Sequence, residues 1–318
     1  MTNKEKYRLL CEQEKSIPLF SQDWWLDIVC GKEFWDAIII EQKNRIIAAM
    51  PVYTPAANIV SMPIYTQTMG PWFPAEADDT KYTTTLGKRQ AICKEIISQL
   101  NSYSYFLQRF NYIITDWLSF YWEGYKQTTR YTYLLEDISK EEVLWEDMSL
   151  NTRRNITKAK EKAGITIRKN IPVEDFLKVL ESTFDRQGLK TNKESNETLV
   201  RLINKCKERN QGEIWGGYDS ENRLNAAVFI AWQGDNAYYI AGGGNAALRD
   251  SGAHSLVMWE AIREVSSITK TFDFEGSMIP GVERFFREFG AKQIPYFTIT
   301  KGKLSLLDRI RMKLQKQK

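Results

Sequence analysis

Two carboxylates one residue apart stand in the run Thr271-Phe272-Asp273-Phe274-Glu275. A strand alternates its side chains between faces, so Asp273 and Glu275 share one face and the two phenylalanines the other. Carboxylates on a strand of a two-faced sheet are costly to bury without partners or work. One held at a raised pKa can accept the proton that an attacking amine must lose. The structural alternative is an ion pair with Arg284 or Arg287 on the following helix. Glu275, at the strand end beside Gly276-Ser277, is the expected proton acceptor, ahead of Asp273. Tyr238 and Tyr239 lie on another strand; either hydroxyl can protonate a leaving group or simply pack, and Tyr238 is the one assigned to catalysis.

A second chemistry is written around residues 236–262. A strand ends in Gly242-Gly243-Gly244, and Arg249-Asp250-Ser251-Gly252-Ala253-His254 leads into a helix. A strand, a small-residue turn and a helix N-terminus offer unpaired N–H groups to a phosphate; an ordinary capped connection is the alternative. Gly242-x-Gly244-x-x-Ala247 has dinucleotide-fingerprint spacing, but its strand comes off a tight hairpin instead of opening a parallel βαβ unit. His254 is the single histidine, and with no G-x-S-x-G elbow it reads as a cap or a solvent-facing residue before a base. Over residues 151–170 there are seven Lys or Arg against one Glu. Arg154, Lys158 and Lys162 recur every four residues, which puts them on one helix face, either an anion rail or plain solvated surface.

The elements that must position these groups follow an αα-βββ-αβαβ order in the second half. A strand at Gly164–Arg168 precedes helices over Asp175–Gln187 and from Ser195. Strands follow at Glu213–Tyr218, Ala226–Trp232 and Asn236–Ala241, then a helix over Ser255–Ser266 and a strand over Thr271–Glu275. A helix over Gly281–Phe289 and a strand over Pro295–Thr300 close the series. The first half repeats much of this plan: a hairpin (Trp35–Ile40, Arg45–Val52), a Pro-rich strand region at Ile59–Phe73, a helix at Gln90–Leu100 and strands at Tyr105–Arg109 and Arg130–Leu135. A single helix over Glu142–Ala163 joins the halves. The expected fold is α/β with mixed sheets, as two tandem units: 1–140, then 141–303, then a basic C-terminal helix over 304–318 that can touch an anionic membrane surface or pack on its own domain.

Composition excludes several classes. The chain has 318 residues, 43% hydrophobic and 26% charged, which rules out wholesale disorder. A net charge of +4 falls short of a dedicated DNA binder. One histidine and four scattered cysteines without a C-x-x-C pair leave no metal site to build. The uncharged stretch 46–75 carries Pro51, Pro55, Pro63, Pro71 and Pro74, which a lipid-exposed helix does not tolerate. No apolar leader follows Met1, and the expected location is cytoplasmic.

Arg249-x-x-Gly252 after the fourth strand resembles the pyrophosphate loop of the GNAT acyltransferases, Q/R-x-x-G-x-G/A, with His254 at the last position instead of Gly or Ala. A wider resemblance is to the Fem-like tandem-GNAT proteins. It runs through Thr132–Asp137, Met148, Arg153–Ile165, Phe272–Ser277, Gly281, Phe285–Ala291 and Pro295–Phe297. Fem proteins attach amino acids from aminoacyl-tRNA to peptidoglycan precursors, and a bacterial sister group is described as acetyltransferases. The resemblance implies acyl transfer to an amine-bearing cell-envelope precursor, with acyl-CoA or aminoacyl-tRNA as donor and no tightly bound cofactor. It places the donor at Gly242, Gly243, Arg249, Ser251, Gly252 and His254, with Arg154 and Lys158 along the basic helix. It places the acceptor at Trp25, Tyr65, Gln67 and Trp72, whose aromatic, Pro- and Gly-rich surroundings also suit a core. A binding module without activity on the same fold is the third reading.

Overall fold

The computed structural model describes residues 1–76, 79–186, 188, 192–305 and 308. The chain divides into two compact units, residues 1–130 with 295–318 and residues 131–294. The expected seam near 140 assumed units contiguous in sequence. The first unit instead takes back the chain end, because Thr298–Gly302 pair antiparallel with Tyr105–Arg109. Most of the C-terminal run 304–318, expected as a basic helix, lies outside the described residues. Among the described residues no helix is long and apolar enough to cross a membrane.

The first unit opens with α1 (Asn3–Gln13) and α2 (Asp23–Val29), neither of which the periodicity had signalled. The signal for α1 is a capping box: Thr2 accepts from the Glu5 amide while the Glu5 carboxylate accepts from the Thr2 amide. β1 (Trp35–Gln42) and β2 (Arg45–Ala56) form the expected hairpin. Lys43 and Asn44 both have positive φ, the requirement of a two-residue hairpin turn. β3 (Ile59–Ser61), β4 (Tyr105–Arg109) and the last part of β11 (Lys292–Gly302) complete the order β1-β2-β3-β4-β11. α3 (Tyr82–Leu100) and α4 (Leu118–Trp122) contribute Ile96, Ile97 and Phe120 to a core with Ile38, Met50, Phe106, Phe110 and Ile299.

The second unit holds the end of β5 (Lys126–Leu135), then α5 (Glu141–Asp147) and α6 (Leu150–Thr157). The expected single helix is thus broken at Met148-Ser149. Ser149 Oγ caps α6 by accepting from the Thr152 amide at 3.1 Å, and the Ser149 amide donates to Glu288 O at 2.9 Å. A π-helical turn, Lys158–Lys162, ends it. β6 (Thr166–Lys169), α7 (Val173–Arg186), α8 (Lys193–Glu208), β7 (Gly212–Tyr218), β8 (Leu224–Gln233) and β9 (Asn236–Gly244) follow. Asn192 caps α8 by accepting from Ser195 N at 2.6 Å, so the cap falls three residues before the expected Ser195. α9 (Ala253–Val265), β10 (Thr271–Asp273) and α10 (Pro280–Arg287) complete the unit. Its strands run β5-β10-β9-β8-β7-β6. Among the described residues, β10 and β9 are the one parallel pair of that order. Val228, Ile230, Leu256, Val257, Met258, Ile262, Phe272 and Phe274 fill one core. The sheet is mixed, with helices against it, as the alternating pattern predicts.

Candidate active site

β9 carries the site because its two neighbours leave it at different points. β8 pairs along its whole length, from Gln233↔Asn236 to Ala226↔Gly244. β10 pairs only as far as Asp273↔Tyr238. Beyond that pair the strands part, and the far edge of β9 faces an opening. A bulge sits at the same place: Ile230 faces Tyr239 and Phe229 faces Ala241, which leaves Ile240 as the extra residue. Bulges re-aim side chains and amides where pairing ends.

The chain after β10 turns away by strained backbone. Glu275 has φ 59° and Gly276 φ 57°. A Cβ at Gly276 would lie 2.0 Å from Tyr131 O, so only glycine fits. Glu275 has no such licence, and a non-glycine residue in this region persists only where its surroundings hold it. Pro280 at the start of α10 restarts the helix, and Phe274 stacks on Phe286 at 5.2 Å to seat α10 beside the opening.

The result is a cleft of about 530 Å³. Tyr239, Ile279, Val282, Phe285 and Phe286 give it apolar walls. Gly242–Gly244, Arg249, Ser251 and His254 give it polar lining. Arg249 is exposed and forms no ion pair among the described residues. His254 stacks flat on Phe285, ring centroids 4.6 Å apart and 8° between planes, which fixes the imidazole against the cleft wall. Thr183 of α7 donates to Gly244 O at 3.2 Å and would lie 2.0 Å from a Cβ at Gly243, so the glycine run lets α7 approach β9.

The loop itself is less open than its composition implies. The Leu248, Ser251 and Gly252 amides close turns onto Asn245 O, Leu248 O and Arg249 O, and the Ala253 amide donates to Ser251 Oγ at 3.3 Å. Those N–H groups are spent within the connection. The expected fan of unpaired amides is therefore reduced there, and the Arg249 side chain, the N-terminal end of α9 and the free edge of β9 are left to meet an anion. Gly252 has φ 77°, and a Cβ there would meet Asn155 O at 2.5 Å, so its first duty is to let α6 and the loop touch.

Of the expected catalytic residues, Asp273 and Glu275 are neighbours, although the strand ends between them. Asp273 Oδ1 accepts from Thr132 Oγ1 and from the Glu275 amide, the latter at 2.7 Å. Asp273 is 1% exposed, and burial pushes its carboxyl up to about 7 against those two hydrogen bonds. Glu275 is half-buried as a residue, yet its Oε1 is closed off from solvent. Burial first, and the charge of Asp273 second, hold its carboxyl well above the usual carboxylate range. The ion-pair alternative is not realised: Arg284 Nε donates to Glu288 at 2.7 Å and Arg287 Nε to Glu283 at 2.8 Å, both one turn along their own helix.

The tyrosines divide differently from the assignment. Tyr238 is 4% exposed and sits in register with Asp273, and it is not among the residues lining the cleft. Tyr239 lines it, packed edge-on to Phe286 at 5.8 Å. Burial, then the charge of Glu275, holds the Tyr239 hydroxyl above the usual phenol range, so it is a proton donor at neutral pH. Alternation explains the switch, since adjacent strand residues point to opposite faces.

The remaining expected residues lie elsewhere. Arg154 and Lys158 are exposed on α6 and the π turn, outside the cleft lining. In the first unit Trp25 is fully buried with its indole N–H on Thr66 Oγ1 at 3.2 Å. Trp72 is 5% exposed and donates to Ser16 Oγ at 2.9 Å, and Gln67 is also buried. Packing takes Trp25 and Trp72 because their hydrogen bonds are satisfied inside. Tyr65 is half-buried, with φ 50°. Sequence reasoning missed Thr183, Asn225 and Val282. For Thr183 a signal existed: it lies seven residues after Phe176, on the buried stripe of α7.

The buried acid has a consequence for stability. Asp273 has its folded pKa raised, so the native state binds the proton more tightly than the unfolded chain does. Its contribution is therefore most favourable below pH 4 and is lost as pH rises toward 7. Asp273→Asn should flatten that slope and stabilise the protein at pH 8 relative to wild type, by roughly 4 kcal/mol at most. Chemical denaturation at pH 5 and pH 8 checks it; an unchanged pH slope in the variant counts against a protonated Asp273.

Residues 148–287 match the family model of the GNAT acetyltransferase domain. The whole chain is similar in fold to FemX, with a TM-score of 0.66 at 13% identity, over 100% of this chain and 99% of that one. It is also similar to the L-PGS of Bacillus licheniformis (TM-score 0.53, 12% identity, 99% and 97% covered). A tandem GNAT protein from the clavulanic acid biosynthesis pathway gives a TM-score of 0.50 at 11% identity, with 89% and 96% covered. No curated protein matches the chain by sequence. The parted strands, the bulge and the loop before α9 all fall within the matched segment, so residues 148–287 form a GNAT acetyltransferase domain, and the chain as a whole has a fold similar to those of FemX and of a tandem GNAT protein.

Proposed function

We propose that the protein transfers an acyl group from an activated donor held in the second unit's cleft to an amine acceptor. The observation that carries this is the parting of β9 and β10 after Tyr238, beside a cleft lined by apolar side chains and by Arg249. A thioester or ester carbonyl placed against the free edge of β9 meets backbone amides where negative charge develops during attack. The amine attacks the carbonyl carbon, and its proton passes through the Tyr239 hydroxyl to Glu275. When the C–S or C–O bond breaks, the proton returns by the same route to the leaving sulfur or oxygen. Proton and electron pair balance without a covalent enzyme intermediate, and alignment of the two substrates supplies much of the acceleration.

Acyl-CoA is the favoured donor, since Arg249 and the N-terminal end of α9 suit a pyrophosphate. The acceptor is an amine-bearing cell-envelope precursor, and the reaction is cytoplasmic. A second reading, aminoacyl-tRNA as donor, is favoured by exposed Arg154, Lys158 and Lys162. Their reach differs from a continuous helical face, because the π turn re-sets the spacing after Thr157. Isothermal titration with acetyl-CoA and with charged tRNA across a salt series separates the two. Acetyl-CoA should bind with a shallow salt dependence that the Arg154→Ala/Lys158→Ala/Lys162→Ala variant leaves unchanged. Steep salt-dependent tRNA binding, flattened by that variant, would overturn the CoA reading. Binding of neither donor would leave a module that only holds a glycan or peptide.

A further inference from the structure

The first unit carries two arginines on one sheet face with no carboxylate between them. Phe106, Phe110 and Ile299 belong to the first unit's core, with Phe297 packed against it. Arg109 pairs with Thr298 in the β4–β11 ladder. Alternation then sends Arg109, Tyr296 and Thr298 to the opposite face of the sheet. Arg130, in β5, reaches the same place: its Nε donates to Tyr296 Oη at 3.3 Å. Both arginines are half-buried, while Tyr296 is 4% exposed. Among the described residues neither arginine forms an ion pair, whereas Arg8, Arg223, Arg263, Arg284 and Arg287 each do. Burial and, after it, the charge of Arg130 pull the Arg109 guanidinium below the usual arginine range, with the Tyr296 phenol opposing them only in part.

Two like charges brought together and partly desolvated are unfavourable without a counter-charge. Plain surface arginines would turn outward into water. Here Arg130 is tethered to a buried phenol and Arg109 is held at the end of β4 by its pairing with Thr298, so the two are presented together on a rigid support. Guanidinium forks match the oxygen spacing of carboxylates and phosphates and bind them in pairs of parallel hydrogen bonds. We propose that Arg109 and Arg130, braced by Tyr296, form an anion-binding site of the first unit that takes a phosphate or carboxylate group of a ligand. None of the three lines the second unit's cleft, so the site stands apart from the acyl-transfer reading.

The test uses full-length protein carrying Gly244→Asp, which sets a carboxylate against anions in the cleft, and titrates it calorimetrically with pyrophosphate and, separately, with succinate. At least one anion should bind this background and lose affinity tenfold or more in Arg130→Gln. Arg109→Lys, which keeps charge but not the fork, should weaken it by a smaller factor, and circular dichroism confirms that each variant is folded. Loss confined to pyrophosphate assigns a phosphate ligand, and loss confined to succinate assigns a carboxylate. If neither anion binds the Gly244→Asp protein, or if both bind Arg130→Gln and Arg109→Lys as before, the proposal is overturned. Pyrophosphate binding to wild type that survives Gly244→Asp but fails in Arg130→Gln would separate this site from the cleft, whichever donor the cleft takes.

Discussion

Glu275→Gln slows acyl transfer by roughly 10²–10⁴-fold, the span that general-base catalysis contributes. The substitution keeps the side chain's size and one acceptor oxygen but removes its basicity. Glu275 acts when deprotonated, and burial with the nearby Asp273 charge raises its pKa well above the ordinary value. The native rate should therefore rise with pH through a limb lying above the usual carboxylate range, then level off. In Glu275→Gln that limb should vanish, leaving only the titration of the acceptor amine. Single-turnover rates from pH 5 to 10 with saturating donor read both effects. Thermal stability at neutral pH should hold or rise, since Gln replaces a carboxyl whose charged form burial disfavours. Wild-type turnover with an intact high-pH limb in the variant would remove Glu275 from the proton path.

Gly244→Asp abolishes donor binding while the domain stays folded. Of the three cleft glycines on β9, Gly244 is the one with room: its Cβ would meet nothing closer than Asn225 O at 3.6 Å and His254 Cβ at 3.9 Å, and its φ is not positive. The new carboxylate would stand in a cleft that Arg249 also lines, where a donor phosphate should face that arginine. Repulsion together with a diverted Arg249 should cost about 100-fold in affinity or more. Gly252→Asp, which the loop motif alone recommends, is the wrong variant. A side chain there needs left-handed backbone and collides with Asn155 O at 2.5 Å, so lost binding would report a displaced α6 as much as a lost phosphate. Titration with acetyl-CoA beside a thermal melt distinguishes these results. Native affinity in folded Gly244→Asp would move the donor out of this cleft.

Local chemistry made a large part of the molecule readable from residues alone. The β7–β8–β9 meander, the helix after the glycine run and the short strand with its carboxylates all rest on period, turn residues and caps, which act over a few positions. The same short range explains why the neighbouring of Asp273 and Glu275 was legible, and why α1 was missed although Thr2 and Glu5 announced it. What sequence could not decide was set by partners distant along the chain. Tyr239 and not Tyr238 faces the cleft because β10 stops pairing at Asp273 and a bulge falls at Ile240. Arg284 and Arg287 leave the carboxylates alone because Glu288 and Glu283 lie one turn away on a helix whose start depends on the strained turn at Glu275-Gly276. Trp25 and Trp72 were equally at home in a cleft or a core until Thr66 and Ser16 were found to take their indole N–H groups. Residue types set which protons and charges this protein has to work with. Which of them meet, and in how dry a place, is decided by strand ends and burial, because both depend on contacts that no single stretch of chain contains.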